Sequence, residues 1–261
     1  MAFIRINDLT LHYRRDGDTD GKPLVFINSL GTDYRIWDAV VPHFASNHAV
    51  LRYDKRGHGL TDVPAPPYTI ADHTADLVAL LDALDIAESI IIGLSVGGMI
   101  AIDFAARYPQ RVTTLVLCDT APQIGTAAMW KERIDTLRAQ GMTHLRDSIL
   151  ARWFAPDFKT RNPAAYHGYG NMLIHTPLDG YTGTCEAIRD ADLIHASRQI
   201  RAKTLVLCGE QDVSTPPDFV REATIDIPDA HFDLIPYSGH LPCVEQPDTL
   251  AAKISTFLED A

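Results

Sequence analysis

The chain has 261 residues, 46% of them hydrophobic, and a formal net charge of -11. That length supports one substantial core, and the composition points away from disordered or fibrous classes. A pI near 5.3 without basic clusters argues against nucleic acid or an anionic membrane surface as partner, because both demand concentrated positive charge.

At the N-terminus, Phe3 to Asn7 and Leu9 to Arg14 alternate apolar and polar residues around a turn at Asn7-Asp8. The spacing predicts an antiparallel pair at a sheet edge, and the interspersed charge makes this stretch a strand rather than a signal peptide. Asp16 to Gly21 reads as a turn. Leu24 to Ile27 is a buried strand that opens into Asn28-Ser29-Leu30-Gly31-Thr32, before a helical stretch containing Trp37, Val40 and Phe44. Val50 to Tyr53 forms the next strand and runs into the polar glycine turn Asp54-Lys55-Arg56-Gly57-His58-Gly59. Thr69-Ile70-Ala71-Asp72 has capping-box form, followed by Ile70, His73, Leu77, Leu81 and Leu84 at helical spacing.

Ile90-Ile91-Ile92-Gly93-Leu94-Ser95-Val96-Gly97-Gly98 is an apolar β-branched run that stops at a glycine-framed serine and continues as a helix from Val96 to Tyr108. Such a strand-to-helix reversal brings together the positions two before and two after the serine. Glycine at 93 and 97 leaves room there, and Ser95 is driven to positive φ with its hydroxyl aimed out of the sheet. A glycine-rich phosphate loop shares this outline, but the Walker spacing and its lysine are absent. The longest nearly uncharged stretch, between Glu88 and Asp103, falls short of the roughly 18 residues of a membrane span.

Val112 to Cys118 is a further strand, so strands and helices alternate through residue 121 as in a mostly parallel sheet covered on both faces. Between 122 and 198 the alternation gives way to successive helical segments, as expected of a helical cap. The sheet resumes over 199–261 with a strand at Thr204 to Cys208, a helix at Phe219 to Thr224, a strand at Phe232 to Ile235 and a closing helix at Thr249 to Leu258. Cys118, Cys185, Cys208 and Cys243 lack C-x-x-C spacing, and three lie in apolar contexts typical of buried thiols; this predicts a reducing, cytoplasmic setting.

A serine hydroxyl needs an adjacent base, itself oriented by an acid. In a parallel sheet such groups gather at the carboxyl ends of strands. The strand at 204–208 leads into Gly209-Glu210-Gln211-Asp212, and the strand at 232–235 into Pro236-Tyr237-Ser238-Gly239-His240. Asp212 is the candidate acid and His240 the candidate base, in the chain order Ser95, Asp212, His240. Asp119, also just past a strand, is an alternative acid. The amides of Val96 and Leu30 are the candidate oxyanion donors. The remaining histidines show no ligand spacing, and no metal is expected.

The stretches Asn28 to Asp33, Arg52 to Gly59, Gly93 to Met99, and His240 with Val244-Glu245-Gln246-Pro247 resemble the α/β-hydrolase family across nearly the whole chain. That resemblance implies an eight-stranded, mostly parallel sheet with a helical cap. Within the family, Asn28-Ser29-Leu30-Gly31, Arg152-Trp153-Phe154, Gly180-Tyr181 and Cys185 to Asp190 resemble 3-oxoadipate enol-lactonases. These carboxylic ester hydrolases open the enol-lactone of the β-ketoadipate pathway of aromatic catabolism without a cofactor; where they carry Asn, this chain has Asp119. Another esterase, lactonase or perhydrolase, a carbon–carbon bond hydrolase, and a non-catalytic small-molecule receptor are the competing readings.

A substrate carboxylate needs a local cation in so acidic a chain. Residues 122–198 hold nine basic against eight acidic residues. Trp130 and Arg133 share a helix face, and Arg152 adjoins Trp153, so Arg133 and then Arg152 are the candidate carboxylate ligands. Nothing in the sequence defines the oligomeric state.

Overall fold

The computed structural model describes residues 1–17 and 20–259, so residues 18 and 19 of the expected turn lie outside the described residues. Eight strands form one sheet: β1 (Ala2–Ile6), β2 (Leu9–Gly17), β3 (Lys22–Ile27), β4 (His48–Tyr53), β5 (Ser89–Leu94), β6 (Val112–Cys118), β7 (Lys203–Gly209) and β8 (Ala230–Ile235). Their order is β1-β2-β4-β3-β5-β6-β7-β8. β2 runs antiparallel to both neighbours, and every other pairing is parallel. The β-branched run of β5 is buried along its whole length, as required of a strand covered on both faces. The alternating residues of β1 lie at the sheet edge.

Helix α1 (Ile70–Ala83) begins with the expected capping box: Thr69 Oγ1 accepts from the Asp72 amide, and the Asp72 carboxylate accepts from the Thr69 amide. Helix α2 (Val96–Arg107) packs against β5 and is buried from Val96 to Ala105. The expected helical stretch takes the form of two short 3₁₀ turns, Tyr34–Trp37 and Val41–His43, and Trp37, Val40 and Phe44 lie buried on and beside them. Pro42 sits in the second turn and has no amide to donate back towards the first.

Between β6 and β7 come α3 (Ala127–Gln140), α4 (Met142–Trp153), α5 (Phe158–Arg161), α6 (Pro163–Ile174), α7 (Leu178–Asp190) and α8 (Ile194–Ser197), with no strand among the described residues. α3 packs on α7 and α4 on α6. α7 meets the loop after β4 backbone to backbone: a Cβ on Gly180 would stand 2.0 Å from the Gly57 carbonyl oxygen. Only glycine allows that approach. After β7 come α9 (Pro217–Thr224), the short α10 (Pro242–Glu245) and α11 (Pro247–Glu259). All four cysteines are buried free thiols. No helix among the described residues is long and apolar enough to cross a membrane.

Candidate active site

Adjacent parallel strands β5, β6, β7 and β8 release their chains at the same edge of the sheet, and the segments that follow carry Ser95, Asp119, Asp212 and His240. Ser95 has φ 57° and ψ -120°, between β5 and α2. A Cβ on Gly93 would stand 2.3 Å from the Gly97 carbonyl oxygen, so glycine at 93 is what lets the chain reverse. The Ser95 carbonyl accepts from Thr120 Oγ1 at 2.7 Å, and its amide donates to the Cys118 carbonyl at 2.9 Å, which fixes the strained turn to the end of β6.

His240 Nδ1 and Asp212 Oδ2 are 2.7 Å apart. Asp212 Oδ2 also accepts from Thr215 Oγ1 at 2.7 Å, and Oδ1 accepts from the amides of Ser214 and Thr215 at 2.7 and 3.2 Å. Burial pushes the Asp212 carboxyl up, but the His240 imidazole and these donors outweigh it and hold it below its ordinary value. An ionised Asp212 fixes the proton of a neutral His240 on Nδ1 and leaves Nε2 as the basic nitrogen. Ser95, Asp212 and His240 are 8%, 2% and 4% exposed, so charge developing among them is screened little by water.

Val96 opens α2, where an amide has no acceptor in a preceding helical turn. Leu30 lies on the loop after β3, which is braced from below. Lys55 Nζ donates to the Ser29 carbonyl at 2.5 Å, and the Gly31 amide donates to His58 Nε2 at 3.0 Å. Because Nε2 accepts, His58 carries its proton on Nδ1, which faces the Arg56 carbonyl at 3.1 Å. Burial holds His58 well below the ordinary imidazole value and lowers Lys55 to about 7. The polar turn Asp54 to Gly59 is thus a prop for the Leu30 loop, a role its composition did not reveal.

Ser95 and His240 open on a narrow cavity of about 80 Å³, also lined by Leu30, Trp130, Arg133, Arg152, Trp153 and Tyr181. All the sequence-predicted site residues with side chains turned to this space therefore converge. Trp130 Nε1 donates to the Ile124 carbonyl at 2.6 Å, and the Arg133 guanidinium lies 4.9 Å from the Trp130 ring centre. Most basic side chains between α3 and α8 have acidic partners: Lys131–Asp135, Arg138–Glu186, Arg146–Asp147, Arg161–Asp157, Arg189–Asp190 and Arg198–Asp226. Arg133 and Arg152 form no ion pair among the described residues. Burial and the facing Arg133 charge lower the Arg152 pKa against the attraction of Asp212, so the cavity holds two guanidinium groups that no acidic side chain pairs directly.

The loop bearing His240 is attached to the end of α4. The Trp153 carbonyl accepts from the His240 and Leu241 amides at 2.9 and 3.2 Å. Glu245, which sequence reasoning noted only as part of a motif, accepts from the amides of Gly239 at 2.7 Å and Ala155 at 3.1 Å. Burial raises Glu245 to about 7 against these hydrogen bonds. Asp119 is fully buried; its Oδ1 accepts from the Gly209 amide at 2.7 Å. Asp119, Cys208 and Asp212 are the one cluster of metal-ligand type among the described residues. Its Asp212 oxygens are already committed to four donors.

A parallel sheet that presents a strained serine, an acid and an imidazole from its loops defines a hydrolase of the α/β class. The sequence profile described as the alpha/beta hydrolase family matches residues 24–253, and the chain belongs to that family. The chain is similar to 3-oxoadipate enol-lactonase 2 of Acinetobacter baylyi, 32% identical over 92% of this chain and 90% of that one. The same organism's 3-oxoadipate enol-lactonase 1 is 30% identical, with 96% and 93% covered. Among solved structures, the enol-lactonase from Burkholderia xenovorans LB400 superposes with a TM-score of 0.96 at 35% identity, covering 99% of this chain and 100% of that one.

Proposed function

We propose that the protein is a carboxylic ester hydrolase that opens 3-oxoadipate enol-lactone to 3-oxoadipate. The observation that carries the reading beyond the family is the pair of guanidinium groups that no acidic side chain pairs directly, Arg133 and Arg152, over the cavity of Ser95 and His240. Two cations without ion-pair partners beside a tryptophan-lined space suit a small lactone bearing a carboxylate. The similarity to two enol-lactonases of Acinetobacter baylyi points the same way.

In this reading Ser95 Oγ attacks the lactone carbonyl while His240 Nε2 takes its proton and Asp212 stabilises the imidazolium. The Leu30 and Val96 amides receive the developing oxyanion. Collapse breaks the ring C–O bond and expels an enolate, a better leaving group than an alkoxide; the proton that His240 took from Ser95 then passes, directly or through water, to the enolate carbon to give the ketone and leaves His240 neutral. Water then attacks the acyl-enzyme with His240 again as base, releasing the acid and restoring Ser95. No cofactor takes part, and the natural setting is the cytoplasmic β-ketoadipate route of aromatic breakdown, with residues 122–198 serving as the cap. The test is turnover of freshly generated enol-lactone followed by ultraviolet absorbance. Activity on simple aryl esters without activity on the enol-lactone moves the assignment to a general esterase.

A further inference from the structure

Two carboxyl groups lie side by side beneath the imidazole. Asp119 and Asp212 are 0% and 2% exposed, and one carboxylate oxygen of each lies within 4.8 Å of the other and of Cys208 Sγ. Pairing of β6 with β7, continued by the Asp119 amide donating to the Leu207 carbonyl at 2.9 Å, fixes that approach. Around Asp119 stand Asp212, Cys208 from β7, Cys118 from β6 and Cys243 from α10, with His240 beyond Asp212. None is a permanent cation. Two carboxylates at this depth cannot both ionise without a counter-charge.

The donors decide which one keeps the proton. Asp212 receives four, from Ser214, two from Thr215, and His240. Asp119 receives one backbone amide, on Oδ1, and besides it only the weak thiol donor of Cys208, while its buried Oδ2 has no hydrogen-bond partner. An oxygen without a donor beside a neighbouring carboxylate is the expected position of an acid O–H.

We propose that Asp119 is a positioning residue that carries a proton on Oδ2 and donates it as a hydrogen bond to the Asp212 carboxylate, so that the buried pair presents a single negative charge to His240. Burial and the Asp212 charge both push the Asp119 carboxyl well above its ordinary range, in keeping with this. The acid thereby does the work of an amide: Asn at 119 would offer the same acceptor to Gly209 and the same donor to Asp212.

The inference rests on Asp212 and His240 acting together as in the proposed hydrolase, and its test separates the two. In the wild-type protein at pH 7 with ¹³C-labelled aspartate, infrared difference spectra against D119N should contain the C=O stretch of one buried carboxylic acid, lost in D119N. No such band, or one that survives in D119N, overturns the proposal without reference to any substrate. Kinetically, the acid limb of kcat/KM should coincide in wild type and D119N, since in both the buried pair carries one charge. A downward move of about one pH unit or more in D119N would mean that a second carboxylate charge had been removed, and the proposal fails. D119A, which loses the donor, should lower kcat about tenfold with KM held, and D119N should restore it; unchanged kcat in D119A also refutes the role. These profiles are read on an aryl ester if the enol-lactone is not turned over. Failure on the lactone alone therefore removes the substrate assignment and leaves the acid pair standing.

Discussion

Arg152→Ala separates carboxylate recognition from general catalysis. Arg152 faces Arg133, burial and that like charge lower its pKa, and a substrate carboxylate would pair directly with guanidinium groups that no acidic side chain pairs. Loss of one charge-assisted hydrogen bond costs about 1.5–3 kcal/mol. At roughly 1.4 kcal/mol per decade this is about a ten- to hundredfold fall in kcat/KM for the enol-lactone. A neutral lactone of similar size should lose less than about threefold, because nothing on it meets the guanidinium. The uncharged Arg152→Met variant gives an independent signature. It relieves repulsion with Arg133 and should raise the Tm of the free enzyme, while the gain in Tm on adding 3-oxoadipate shrinks. Initial rates on both lactones and thermal scans with and without product suffice. Equal losses on charged and neutral lactones, or no loss in either Arg152→Ala or Arg133→Ala, would show that the carboxylate is held elsewhere.

Ser95→Ala should keep the circular dichroism spectrum and lower kcat by on the order of 10³-fold or more, leaving only binding and oxyanion contributions; near-normal turnover by the purified variant would remove the nucleophile assignment. Asp212→Asn should reduce kcat far more than Asp119→Asn, because of the two carboxylates it is Asp212 that contacts His240 Nδ1; the reverse ranking would make Asp119 the acid. Glu245 has a folded-state pKa of about 7 against an ordinary 4.5. The folded chain therefore binds that proton more tightly than the unfolded chain, and this group's contribution falls as pH rises from about 4.5 to 7. Glu245→Gln removes the titration while keeping an acceptor for Gly239 and Ala155, so its Tm relative to wild type should climb between pH 5 and pH 8. A pH-independent difference would contradict the assignment.

Strands were legible wherever burial on both faces left an uninterrupted β-branched run, as in Ile90 to Ile92, and the elbow was legible because its steric demand falls on glycines at fixed spacing. Asp212 and His240 could be picked out because a parallel sheet collects its loops at one edge. What escaped reading depends on contacts between distant segments. The tautomer of His58 is set by the Gly31 amide, 27 positions away in the chain. Glu245 bridges Gly239 and Ala155, which no local pattern couples. Apolar spacing marks the stretch around Trp37 as helical but suits either helix type, so its 3₁₀ form is set by the structure. Asp119 was seen as a rival acid, but its closeness to Asp212 is a property of adjacent strands.

The three backbone amides, of His240, Leu241 and Ala155, that tie the His240 loop to the end of α4 have a consequence for how such enzymes diversify. Their acceptors are one main-chain carbonyl, Trp153, and one side chain, Glu245. Every group joined across the seam except the Glu245 carboxylate is therefore main chain and indifferent to which side chains the helices carry. Helices α3 to α7 can be exchanged between relatives, or redrawn to admit a different acyl group, with the base left in register, provided the chain re-enters at Trp153 to Ala155 and Glu245 is kept. A graft spliced a residue or two out of phase there would leave the new binding surface intact and misalign the imidazole. Chimeras of that kind should bind ligand and fail to turn it over.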